Sequence, residues 1–131
     1  MPNRELFQKI HEQISAHPDT HYQGSWETGC GTTRCVAGWA IHLTTGAPVF
    51  GSDGRVSAQT RALAAEYGTR DAGPGGWHAG YMVADLAQEL LGLSQPEAGR
   101  LFLADDDYNA AKAVEAYAEG RDDVAREFLS Y

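Results

Sequence analysis

WETGCGTTRCVAGWAIHL, residues 26–43, holds both cysteines and two of the three tryptophans of this chain. It begins as a polar, glycine-rich loop and passes directly into an apolar segment. Val36, Trp39, Ala40 and Leu43 recur at steps of three and four, the spacing of one face of an α-helix. Thr32 or Thr33 offers an N-cap, and Gly46 a stop after about Thr45. Gly38 costs about 1 kcal/mol against alanine inside a helix. Close approach of another backbone beside Trp39 would account for it.

Outward from this centre the chain reads as short amphipathic helices and turns. Upstream, Asn3 caps a helix that carries Leu6, Phe7, Ile10 and Ile14 on one face. His17-Pro18 ends it, because a residue before proline is pushed out of the α region. Downstream, Ala47 to Val56 is the ambiguous segment: APVF and RV flank GSDG, which makes one short β-hairpin an option. Ser57 caps a third helix with Ala58, Ala62, Leu63 and Ala65, closed by Gly68. A fourth, from about Tyr81 to Leu91, stops at Gly92-Leu93. Ser94-Gln95-Pro96-Glu97 is a capping box with an early proline. The fifth helix buries Ala98, Leu101 and Phe102 and runs to Asp105-Asp106-Asp107. Asn109 caps a sixth, with Ala110, Ala113, Val114 and Tyr117 inward, and Asp122 a last one with Val124, Phe128 and Leu129. The expected fold is all-α, a small orthogonal bundle of six or seven short helices in one domain over 1–131.

The totals narrow the function classes. Eighteen acidic against ten basic side chains give a net charge of −8. Only two lysines occur, Lys9 and Lys112, and the arginines are scattered. A duplex-binding surface needs clustered basic residues, so nucleic acid is disfavoured; an acidic surface favours solubility, or a basic partner where there is one. No apolar run nears the ~20 residues that span a bilayer. A polar N-terminus and only two cysteines fit a cytoplasmic protein with reduced thiols.

Each chemical motif has a plainer reading beside it. Cys35 in the first turn of a helix would have its thiol pKa lowered by the free amides there. With His78 as base and Asp71 as orienter it would make a thiol enzyme. A zinc site would take Cys30, Cys35, His21 and His42, but the spacing lacks a second close pair, and His42 lies some two turns beyond Cys35. A Cys30–Cys35 disulfide would be reduced in the cytoplasm. The plainer reading makes Cys35 a small core residue and Cys30 a loop thiol. Asp105, Asp107 and Asn109 imitate the start of an EF-hand, yet Ala110 stands where glycine is required and Ala116 where a glutamate belongs. Gly73-Pro74-Gly75-Gly76 lacks the lysine of a phosphate loop. Tyr22, Trp26, Trp77 and Tyr81 lie in or beside loops and are candidates for an aromatic recognition patch.

CGTTRCVAGWA, Cys30 to Ala40, resembles the CGTxxCxAGWA pattern of small uncharacterised proteins from actinobacterial phages and their relatives. His17-Pro18 with Tyr22-Gln23, and Leu90 to Leu93 followed by Ala98, Leu101 and Phe102, are similar too. The resemblance implies a phage-type accessory protein acting inside a bacterial host cell, and brings no activity with it. The expectation is therefore a non-enzymatic, host-modulating interaction module that binds a host or phage protein or its own copy, without a cofactor. A thiol enzyme and a zinc-stapled structural protein are the alternatives.

Overall fold

Asn3 shows how locally this chain starts its helices. Its side chain accepts the Leu6 amide at 3.2 Å, which begins α1 (Arg4–Ala16). The same side chain donates to the Leu90 carbonyl at 2.9 Å, and its backbone N–H reaches the Leu91 carbonyl at 2.7 Å. One residue thus starts α1 and closes α4 (Ala79–Leu91). The computed structural model describes residues 2–23, 26, 34–70, 79–104 and 107–129, without the side chains of 79–81.

Among the described residues the elements are seven α-helices and one 3-10 turn, Pro18–Thr20, with no strand. This is an all-α bundle. Besides α1 and α4 these are α2 (Val36–Thr45), α3 (Ala58–Tyr67), α5 (Gln95–Phe102), α6 (Asp107–Ala118) and α7 (Asp122–Phe128). Residues 47–56, where one short hairpin is an option, form a turn. Gly51 and Arg55 share a 2.7 Å hydrogen bond, and a single bridge joins Phe50 to Val56. Two short arms with one bridge and no third strand beside them do not extend, and Val49 and Val56 pack into the helical core instead.

Ser57 and Ser94 accept the amides of Thr60 and Glu97, and so start α3 and α5. Gly68, Gly92 and Gly120 close three helices in the left-handed conformation. At each, the following residue's N–H bonds back five positions, as Leu93 does to Gln88 at 3.2 Å.

Other boundaries and faces shift from expectation. α2 begins at Val36 with Cys35 at its N-cap position, and Thr32 and Thr33 lie outside the described residues. Val36 through Ile41 are all buried, so α2 is enclosed on every side rather than along one stripe. α3 turns Thr60 and Ala64 inward, half-buries Leu63, and leaves Ala58, Ala62 and Ala65 exposed. Alanine is too weakly apolar to dictate which face packs. α5 stops at Phe102, short of the acidic run, and α6 starts at Asp107, so Asn109 is inside its first turn rather than its cap. Asp122 is the first residue of α7, one beyond the cap position at Arg121.

α1 lies along α6, with the Phe7 and Tyr117 rings stacked at 4.6 Å. The Tyr117 hydroxyl donates to Glu97 Oε2 at 2.9 Å, and Arg126 Nε donates to the same oxygen at 3.1 Å. Ser94 Oγ donates to the other carboxylate oxygen at 2.9 Å. Burial would raise the Glu97 carboxyl, but these three donors outweigh it and hold it below the usual range. The capping-box acid therefore ties α5 to α6 and α7. Among the described residues no helix is long and apolar enough to cross a membrane.

Candidate functional site

Gln23 organises the end of the bundle where α2, α5 and α6 meet. Its Oε1 accepts the Val36 amide at 3.0 Å, supplying the cap that Cys35 does not. The same oxygen lies 3.0 Å from His21 Nε2, so that ring nitrogen is the donating one. Its Nε2 donates to the Leu101 carbonyl at 2.9 Å, and its backbone N–H to Asp107 Oδ1 at 2.7 Å. A parallel bridge between His21 and Arg34 holds the two ends of the intervening loop together. Trp39 Nε1 donates to the Thr20 carbonyl at 3.0 Å, and the Arg34 guanidinium lies 4.8 Å from the Trp39 ring centre.

Within that loop Trp26 is set against α2. A Cβ on Gly38 would collide with the Trp26 carbonyl oxygen and stand 3.0 Å from its carbonyl carbon. This is the backbone approach that a glycine within a buried helical turn predicts. The Trp26 side chain then meets Phe102 edge to face, with ring centres 6.4 Å apart.

Beside this pair opens a cleft of about 510 Å³ between α4 and α5. Trp26, Phe102 and Leu103 give it apolar walls, and Ala84, Ala98 and Gly99 a low floor. Gln88, Gln95 and the Arg70–Asp85 ion pair supply its polar rim. A volume of several hundred Å³ with few polar groups is typical of sites that bury a ligand or a partner's side chains. Leu103 is 73% exposed at its edge. Tyr22 and Tyr108 are exposed as well, at 53% and 64%. Each adjoins one partner of the Gln23–Asp107 hydrogen bond, so they share this end of the molecule with Leu103.

The residues singled out from sequence separate here. Tyr22 is exposed and Trp26 half-buried at the cleft. Tyr81 lies in α4 but its side chain is outside the described set, as are Cys30, Asp71, Trp77 and His78 altogether. Cys35 is a free thiol with 1% exposure. Burial pushes it up to about 11, and the amides of Gly38, Ala37 and Cys35 itself pull the other way without offsetting burial. The helix N-terminus expected to activate the thiol is therefore present, yet desolvation wins.

Of the proposed metal ligands, His21 is held by Gln23, and His42 Nδ1 donates to the Ala47 carbonyl at 2.7 Å. Among the described residues no three histidine, cysteine or acidic side chains are grouped to hold a metal ion. Gln23, Gly99, Phe102 and Leu103 were not picked out as site residues. Gln23 did stand in the aromatic-Gln element Tyr22-Gln23, which was the available signal. No protein-family model, curated protein or solved structure matches this chain.

Proposed function

We propose that this chain is a non-enzymatic interaction module that docks a partner protein over the Trp26–Phe102 cleft. The observation that carries the reading is exposed Leu103 at the edge of an apolar cleft walled by Trp26 and Phe102 on an acidic chain. Aromatic side chains gathered at a concavity are how a small interface concentrates binding energy. The likeness of Cys30–Ala40 to small actinobacterial phage proteins supports a role as an accessory protein inside a bacterial cell, acting on a host or phage protein. Burial and the raised thiol pKa of Cys35 count against thiol catalysis.

The test is a photo-crosslinking residue at position 103, compared with one at position 9 on an exposed part of α1 away from the cleft. In cells making the protein at its native level, position 103 should give a discrete protein adduct and position 9 should not. Equal labelling at both sites, or none at 103, would refute the reading.

A further inference from the structure

The charges that border the cleft between α4 and α5 cancel one another. Arg70 and Asp85 are joined by two hydrogen bonds, Nε to Oδ2 and Nη2 to Oδ1. Arg100 follows Gly99 and Glu89 follows Gln88, but one step along a helix turns a side chain by about 100°. Both are exposed and neither lines the cleft. Glu97 is engaged by Tyr117, Arg126 and Ser94. Among the described residues the cleft therefore holds no uncompensated charge. An ionised group entering it would lose hydration without gaining a counter-charge, which selects against acidic and basic occupants alike.

What the cleft does offer is apolar surface and neutral amides. Gln95, Ala98, Gly99 and Phe102 recur at the spacing of one face of α5, with Ala84 and Gln88 supplied by α4. From Gln95 to Phe102 that face is two turns long, roughly 10 Å at the helical rise. An extended chain covers the same distance in about three residues. The Gln88 and Gln95 side chains make no hydrogen bond among the described residues. Each amide carries donors and an acceptor, the complement of a peptide unit. Gly99 lies between these groups without positive φ, and a Cβ on it meets no described atom within 4 Å. Neither conformation nor crowding by the described residues requires glycine there, yet glycine is what lets another backbone come closest.

We infer that the cleft takes a short, uncharged, extended segment of a partner protein, with one leucine or aromatic side chain against Trp26 and Phe102 and its backbone passing Gly99 between Gln88 and Gln95. This rests on the interaction-module reading and specifies the chemistry of its partner. The experiment is a selection of short random peptides displayed against the folded protein. Affinities are then measured on soluble versions of the enriched peptides carrying a neutral tail. They should share a leucine or aromatic anchor with no lysine, arginine, aspartate or glutamate on either side of it. Raising the salt from about 0.05 to about 0.5 M should weaken them less than about twofold, since no charge pair crosses the interface. Gly99→Leu should weaken them by about tenfold or more, because its side chain fills the open floor. Gln88→Leu, which keeps the bulk and removes the amide, should weaken them about threefold or more. Thermal unfolding checks that each variant folds, and either one alone suffices for the test.

A charged consensus beside the anchor would overturn the inference, as would a larger loss of affinity in salt. So would failure to enrich any peptide, or unchanged affinity in the folded variants. The position-103 adduct then decides separately whether the module docks a protein elsewhere on this surface. An adduct at 103 consisting of the chain crosslinked to itself would overturn the inference in favour of a second copy.

Discussion

Two glycines within helices, Gly38 and Gly99, should respond to the same substitution with opposite signs. Replacing either by alanine removes the same backbone-entropy penalty and gains about 1 kcal/mol of helix propensity. At Gly99 nothing described lies within 4 Å of the new methyl, so the gain should appear in full. At Gly38 the methyl falls on the Trp26 carbonyl oxygen, 3.0 Å from the carbonyl carbon and from Arg34 Cβ, against an ordinary contact of 3.4 Å or more. Overpacking of a buried site costs about 1–3 kcal/mol and occasionally more. Because the methyl lands on a backbone oxygen, the cost is at the upper end, about 3 kcal/mol, and the net result for Gly38→Ala is a loss of about 2 kcal/mol. For a chain of this size 1 kcal/mol moves the melting temperature by about 4 °C. Gly99→Ala should therefore melt about 4 °C higher than the parent, and Gly38→Ala several degrees lower. If the Trp26 segment yields instead, the loss will be smaller, but the Trp26–Phe102 pair will separate and the near-ultraviolet circular dichroism will change. A Gly38→Ala protein that is more stable than the parent with unchanged aromatic signals would refute the reasoning.

Two further outcomes follow from the same end of the molecule. Cys35 should react with an alkylating reagent at pH 8 only as fast as the protein opens. Its thiol is more protonated in the folded than the unfolded chain, so its contribution to stability is full below pH 9 and is lost as the pH rises towards 11; denaturation midpoints over that range test this. Fast labelling of the native protein would contradict the buried assignment. Gln23→Ala should cost about 1–3 kcal/mol in chemical denaturation, since it leaves the Val36 amide and Leu101 carbonyl without their partner. Gln23→Glu keeps an acceptor for Val36 but turns a carboxylate oxygen towards the Leu101 carbonyl, so it should regain stability as the carboxyl protonates on acidification.

What could be read from sequence was the part of the fold fixed by neighbours in the chain. Asn3, Ser57 and Ser94 cap helices through hydrogen bonds to amides three residues on, and Gly68, Gly92 and Gly120 stop them through bonds five residues back. Those interactions are complete within a short window. Gly38 was legible in kind, as a place where a backbone comes close, but not in the identity of Trp26 as the visitor. The inward face of α3 was misread because four small alanines give no strong preference, and Thr60 is buried through its bond to the Val49 carbonyl. Cys35 was misjudged because position at a helix start is local, whereas desolvation depends on everything packed around it. The cleft was hardest. Trp26, Gly99 and Phe102 come from segments over 70 residues apart, and an unremarkable loop glutamine aligns them.

That glutamine also bears on the order in which the chain folds. The first six residues of α2 are all buried, yet its first amide is satisfied by a residue thirteen positions upstream, which is itself held by Leu101 through its side chain and Asp107 through its backbone, 78 and 84 residues away. A peptide cut to α2 alone would contain no cap and would fray from Val36. In the whole chain, locking that turn must wait until α5 and the start of α6 have arrived, since closing long loops precedes the contacts that reward it. The buried start of α2 thus depends on a residue whose own position is set by contacts far along the chain.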